Sequence, residues 1–353
     1  MNNIQEPVRL TQYAKAAGCS CKIASAQLQE ILAGAAPHFF PGLLVGNGSS
    51  DDAAVYALDD ETALIATTDF FTPVADDAFD YGRIAAANAL SDVYAMGGKP
   101  LMALAILGWP TDILPAALAR QVIEGGRAAC ADAGIPLAGG HSITAAEPFF
   151  GLCVNGLVSA ANLKKNNTAT EGDLLFLTKP IGTGILTTAK KRGMLPDDAY
   201  AALVAQLSSL NRIGTQLGSI NGITAMTDVT GFGLLGHLIE MAAGSGLSAV
   251  LQYSGIPMLS TARELAAKQV VPDATYRNWN SYSPQVSIEP GVNVMEAFNL
   301  LPDPQTNGGL LFSVKESAIA EVTELLTLEG YGAFATPIGR LSAKGGKTIV
   351  VTP

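Results

Sequence analysis

The sequence predicts an α/β protein of the α+β type, in two domains with mixed or antiparallel sheets and helices packed on one face. Three observations lead there. The chain has 353 residues, 48% hydrophobic and only 15% charged, enough apolar material for two cores of ordinary size. Short β-branched runs alternate with segments of helical apolar spacing, yet several runs sit close together in the manner of hairpins. A polar stretch, SAANLKKNNTATEGD over 159–173, breaks the pattern near the middle. The expected divisions are a mobile N-terminal arm over 1–24, a first domain over 25–160 and a second over 161–353.

The elements follow in order. SAQLQEILAG reads as a short helix closed by Gly34. DDAAVYAL (51–58) and ETALIATTDFF (61–71) read as paired strands, and DYGRIAAANALSDVYAMGG (80–98) as a helix with a glycine stop. LMALAILGW (101–109) is a strand, ALARQVIEGGRAACADAG (117–134) a helix, and PLAGGHSI and FFGLCVNGLV are further strands. LLFLTKPIGTGILTTAKKRG opens the second unit. Its clearest segment is ITAMTDVTGFGLLGHLIEMAAGSG (223–246): strand, glycine-punctuated turn, amphipathic helix. Residues 271–300, rich in Pro, Asn and Ser, read as an ordered excursion or a lid. GGLLFSV (308–314) and GGKTIVVT (345–352) are closing strands.

Composition excludes some functions. With 21 Lys+Arg against 31 Asp+Glu the chain carries a net charge of −10, the wrong sign for a nucleic-acid surface. The opening MNNIQEPVRLTQYAK lacks the apolar core of a secretory signal, and no apolar run reaches the length of a membrane span. A cytoplasmic protein with reduced thiols is expected, in which Cys130 and Cys153 are buried structural residues.

Chemistry is expected where acids border apolar runs. Asp51, Asp52, Asp69, Asp92 and Asp228 each do so, although aspartate is poor inside strands and costly to bury unpaired. One such residue reads as a cap or turn, but five call for a shared cause. Mg²⁺ supplies one, since it binds through a few carboxylates plus substrate phosphates, and it would let an acidic protein hold a polyphosphate. No GxxxxGK[ST] motif is present. GNGSSDD (46–52), AGGHSI (138–143) and the Thr230–Gly231–Gly233 turn are glycine-containing loops that together suit a nucleotide. His237 reads as a packing histidine, whereas His141 sits in a glycine loop. With three histidines in the chain, a His/Cys zinc site has little support.

AAGCSCKIAS (16–25) is the remaining oddity, because it holds half of the four cysteines. A Cys-x-Cys disulfide closes a small strained ring. A reactive thiol is an alternative, since Lys22 beside Cys19 would favour the thiolate. On local chemistry a functional thiol and an inconsequential tail both remain open.

At the level of whole motifs the chain resembles the selenophosphate synthetases (selenide, water dikinases). The resemblance lies in RLTQYAKAAGCSCKIA (9–24), LLVGNGSSDDAAVY (43–56), TTDFFTPV (67–74), GRIAAANALSDVYAMGGKP (82–100), AMTDVTGFGLLGHL and DPQTNGGLL (303–311). It implies an aminoimidazole ribonucleotide synthetase-like fold and the conversion of ATP, selenide and water into selenophosphate, AMP and orthophosphate. It also implies that the product serves selenocysteine and selenouridine synthesis. By position, Cys19 is the essential thiol and Lys22 its catalytic partner. Asp52, Asp92 and Asp228 match the Mg²⁺-binding acids. Lys22, Ser49, Ser50, Asp51, Asp69, Asp92, Gly140, His141 and Ser142 match nucleotide contacts. A homodimer formed through the N-terminal sheets, a monovalent cation such as K⁺ and a selenium-delivery partner are further implications. Ser20 and Asn307 depart from the common pattern, which has glycine and serine there. A small-molecule kinase of the same fold, or a selenium carrier without catalysis, are the rival readings. The first lacks the Cys-x-Cys-Lys arm, and the second has no use for a Mg–ATP site.

Overall fold

The computed structural model describes residues 8–14, 18, 22–23, 25–32, 40–46, 48 and 50–353. Cys19, Ser20, Gly34 and Ser49, each singled out above, lie outside the described residues. After α1 (Ser25–Leu32), the N-terminal half holds β1 (Leu43–Val45), β2 (Ala54–Ala57), β3 (Thr62–Phe71), α2 (Ala78–Ala95), β4 (Lys99–Trp109), α3 (Ala116–Asp132), β5 (Leu137–Thr144) and β6 (Phe149–Ser159). Its strands form one sheet in the order β1-β2-β3-β6-β4-β5. Every pairing is antiparallel except β4–β5.

Burial in β3 alternates along the strand, as expected when one face meets a core. Its odd-numbered residues Ala63, Ile65, Thr67 and Phe71 are buried. Helix α2 lies on that face. Asp77 caps it by accepting the Asp80 N–H at 2.9 Å, and its run of alanines lets sheet, α3 and second domain all approach closely. A Cβ on Gly82 would lie 1.8 Å from Val122 O of α3, and one on Gly125 2.0 Å from Phe79 O, so the α2–α3 contact depends on both glycines.

The second half holds β7 (Leu174–Leu177), α4 (Thr183–Lys191), α5 (Asp197–Ser208), α6 (Ile213–Gly218), β8 (Ile223–Asp228), α7 (Gly233–Gly244), β9 (Ser248–Gln252), α8 (Ser260–Ala267), α9 (Asp273–Tyr282), β10 (Val286–Ile288), α10 (Val294–Leu300), β11 (Leu310–Val314), α11 (Ile319–Leu328), β12 (Gly339–Ser342) and β13 (Ile349–Thr352). The sheet runs β10-β13-β9-β12-β7-β11-β8, with β13 parallel to both of its neighbours and the other pairs antiparallel.

Residues 271–300, expected as an ordered excursion or a lid, pack as an ordered part of this domain. They supply α9, sheet strand β10 and α10. Trp279 packs edge-on against Phe298 with ring centroids 5.3 Å apart. Asn278, buried, donates to Gly231 O and Pro302 O, both at 2.9 Å. The polar composition that reads as loop serves here to satisfy buried carbonyls.

The domains meet along α2. Asn211 donates to Ser91 Oγ at 2.8 Å, Thr215 to Gly98 O at 2.6 Å, and the Asn166 N–H to Asp51 Oδ1 at 2.7 Å. Edge strand β8 is thereby placed beside the C-terminal half of α2. Cys130 is fully buried, and burial pushes its thiol up to about 11, whereas Cys153 on β6 is half-buried. Among the described residues no helix is long and apolar enough to cross a membrane.

Candidate active site

Three elements aim their acids into one cleft at the domain junction. On β3, Thr67 and Asp69 are two residues apart and share the face turned to α2. On α2, Asn88 and Asp92 are four apart and share the opposing stripe. Strand β8 ends in Thr227 and Asp228. The loop before β2 adds Ser50, Asp51 and Asp52, and Lys22 of the arm stands at the rim. Phe232, His237 and Glu240 of the α7 region form another wall around about 1030 Å³ of non-protein space.

The acids are held, not merely gathered. Asp92 Oδ2 accepts from Thr67 Oγ1 at 2.5 Å, and Asp52 Oδ1 from Thr227 Oγ1 at 2.8 Å. Asp69 Oδ2 accepts from Asn88 Nδ2 at 2.5 Å and faces Lys22 Nζ at 3.7 Å. Asn88, fully buried, is oriented by the Asn307 N–H, which donates to its Oδ1 at 2.7 Å. His237 Nε2 accepts the Thr230 N–H at 3.1 Å, so Nδ1 is the N–H that meets Glu240 at 3.3 Å. His237 is thus the satisfied packing histidine its apolar neighbours suggest, and it also lines the cleft.

Electrostatics mark the cleft as a place made for positive charge. Burial raises the pKa of Asp52 well above the ordinary value, and the nearby carboxylates of Asp228 and Asp92 raise it further. Asp92 is raised by burial, then by Asp228 and Asp69. Asp228 is raised by burial, against lowering by a hydrogen bond from Ser91. Asp52 as a residue is partly exposed, but its Oδ2 is sealed, and both Asp52 Oδ2 and Asp228 Oδ2 find no hydrogen-bond partner among the described residues. Buried carboxylate oxygens left unpaired are costly unless a cation or donor completes them. Among the described residues no three His, Cys, Asp or Glu side chains converge tightly enough to cage an ion unaided. That pattern suits Mg²⁺, which takes one or two carboxylates and leaves the remaining positions to water and phosphate oxygens.

Of the sequence-predicted residues, Lys22, Ser50, Asp51, Asp52, Asp69, Asp92 and Asp228 all line this cleft. Gly140, His141 and Ser142 do not. They lie on β5, the exposed edge strand at the far side of the sheet. Cys19 and Ser49 are outside the described residues. Thr67, Asn88 and Thr227 escaped the sequence reading because uncharged hydroxyls and amides carry no compositional signal. Their spacing does: each lies one, two or four residues from an acid on the same strand or helix.

Comparison with known proteins relates the whole chain to one family. The family models for AIR synthase related proteins match in sequence, the N-terminal domain over residues 50–158 and the C-terminal domain over 170–352. A selenide, water dikinase of Bordetella bronchiseptica is 54% identical over 340 residues, covering 96% of this chain and 97% of that protein. One from Pseudomonas putida is 51% identical over 349 residues, covering 99% of this chain and 100% of that protein. Among solved structures, the hydrogenase maturation protein HypE in complex with ATP superposes with a TM-score of 0.66 at 18% identity, covering 88% of this chain and 86% of that one. At that identity the likeness speaks for the fold alone. Near-complete coverage at about half identity, on a two-domain AIR synthase-related fold, establishes that the chain belongs to the selenide, water dikinase family.

Proposed function

We propose that the acid cleft is where this member of the family uses ATP to phosphorylate selenide, releasing selenophosphate, AMP and orthophosphate. The observation that carries the reading is the set of buried, mutually repelling carboxylates of Asp52, Asp92 and Asp228, two of them with an oxygen that has no partner among the described residues. These three would hold Mg²⁺. When bound, the metal would neutralise the phosphates and supply the electrostatic stabilisation on which phosphoryl transfer mainly depends.

The chain's own residues do the rest. Thr67 and Thr227 fix the rotamers of Asp92 and Asp52. Asn88 fixes Asp69, and Asp69 draws Lys22 toward the phosphate end of the cleft. Lys22, as a cation, offsets charge on the transferred γ-phosphoryl group. Selenium forms its bond to the γ-phosphorus as the bridging P–O bond breaks, which leaves ADP. Water then adds to the β-phosphorus of that ADP, releasing orthophosphate and AMP. Hydrogen selenide is anionic near neutral pH and needs no general base, so Cys19 acts in the handling of selenide and not in proton transfer.

The site is completed by a second copy. Every residue of β5 after Leu137 is exposed, as are Leu101, Met102 and Leu104 on β4 beside it. An unpaired edge with apolar neighbours is suited to a partner. A homodimer through this sheet would give Gly140, His141 and Ser142 a nucleotide to contact.

The test is AMP formation from ATP by purified protein, with and without selenide. Selenide-dependent AMP that disappears in Cys19→Ser, while ATP still binds, is the expected result. AMP formation indifferent to selenide would overturn the reading.

A further inference from the structure

The root of the arm, residues 9–14, is fixed by contacts that none of the steps above uses. The expected arm over 1–24 thus has a packed base: Leu10 is fully buried and Thr11 nearly so. Asp76, in the loop between β3 and α2, grips both sides of this base. Its Oδ1 accepts from Thr11 Oγ1 at 2.5 Å and from the Thr11 N–H at 3.3 Å, and its Oδ2 accepts from Arg9 Nε at 3.1 Å. From the other domain, Lys191 of α4 donates to Ala14 O at 2.6 Å.

Two later points on the arm are fixed as well. The Gly18 N–H donates to Thr72 O at 3.2 Å. Gly18 holds φ +54°, and a Cβ there would lie 2.5 Å from Thr306 Oγ1 and 3.1 Å from Val74. Lys22 then faces Asp69 at 3.7 Å. Cys19 follows Gly18 directly in the chain.

We propose that Asp76 is a positioning residue of the phosphoryl transfer, holding Arg9 and Thr11 so that the arm presents Lys22 to the cleft in register. The proposal rests on the reaction assigned above. Magnitudes separate this role from a merely stabilising one. The Arg9–Asp76 pair is partly exposed, at 39% and 18% for the two side chains, and such pairs contribute little to global stability. A displacement of about 1 Å at reacting groups, by contrast, can cost about 100-fold in rate. Both carboxylate oxygens are engaged, by donors on different arm residues, so a neutral amide would turn an N–H₂ toward one of them.

The experiment compares full-length wild type with Asp76→Ala and Asp76→Asn. It reads selenide-dependent kcat, KM for ATP, Tm, and the rate of tryptic cleavage after Lys22. Asp76→Ala is expected to lower kcat by about 10- to 100-fold. KM for ATP should stay within about twofold of wild type, Tm should fall by only a few degrees through the freed Thr11 donors, and cleavage after Lys22 should quicken several-fold. Asp76→Asn, which keeps one acceptor for Thr11, should fall between. Unchanged kcat in Asp76→Ala overturns the positioning role, and so does a joint fall of Tm, ATP binding and kcat. A wild-type chain that makes no AMP with selenide overturns the underlying reaction instead, so the two failures are distinguishable.

Discussion

Asn88 on α2 donates its amide hydrogen to Asp69 on β3 while accepting the backbone N–H of Asn307 from the other domain. One uncharged side chain thus ties the geometry of a cleft acid to the closure of the two domains. Replacing it with alanine frees the Asp69 carboxylate and strands a buried N–H at Asn307. Asn88→Ala is expected to lower selenide-dependent turnover by about 10- to 100-fold, with a stability loss of about 1–3 kcal/mol in urea unfolding. Turnover equal to wild type would show that Asp69 needs no such support.

The acid cluster is a site where function opposes stability. Asp52 and Asp228 hold their carboxylates buried among like charges, each with an oxygen that has no partner among the described residues. Asp52→Asn keeps the acceptor for Thr227 and removes one charge. The metal-free variant is expected to be more stable than wild type, since one charge fewer is then buried among like charges. Calorimetric titration should show that Mg²⁺-dependent nucleotide binding is lost, in this variant and in Asp228→Asn. Normal Mg²⁺ dependence in both would remove these acids from a metal site.

The same shifts set a pH dependence. Asp52, Asp92 and Asp228 all have folded pKa values above the ordinary 3.8. The folded cleft therefore retains protons that the unfolded chain releases. The cluster's stabilising contribution is complete below the unfolded pKa and is lost as pH rises through the folded values. Metal ligation needs the deprotonated forms. The gain in Tm on adding Mg²⁺ with a non-hydrolysable ATP analogue should thus be larger at pH 8 than at pH 5.5. An equal gain at both would contradict the carboxylate assignment.

Asn307 stands just before β11, at the domain junction. It holds φ +45°, a left-handed conformation asparagine tolerates better than most residues. Its Nδ2 donates to Leu207 O at 2.6 Å and Ser209 O at 2.8 Å, while its carbonyl accepts from Lys179 Nζ at 3.0 Å. Asn307→Ser is expected to cost about 1–2 kcal/mol in urea unfolding through the lost amide bonds. ATP binding should be preserved, because the backbone N–H to Asn88 remains. An undiminished midpoint would mean that these carbonyls find other partners.

Much of this was legible in the sequence, and the physical reasons differ by element. Strand β3 and helix α2 were readable because their apolar periods of two and of three to four are strong over ten or more residues. The acids were readable because aspartate beside an apolar run is locally unfavourable. Residues 271–300 left two readings open, since their composition resembles a loop and only tertiary contacts such as Asn278 to Gly231 O decide. Asn88 and Thr67 stayed hidden because their role is created by a partner on another element. Asp76 was hidden for the same reason, since nothing in FTPVADDAF shows that Thr11, 65 residues earlier, will reach back to it.

The central claim is that the acid cleft moves the γ-phosphoryl group of ATP onto selenium. It is tested most directly by ³¹P NMR of the reaction with ATP, Mg²⁺ and selenide. The expected spectrum shows a phosphorus resonance split by selenium, growing in step with equal amounts of AMP and orthophosphate and absent in Asp228→Asn. Accumulation of ADP and orthophosphate with no phosphorus–selenium signal would contradict it.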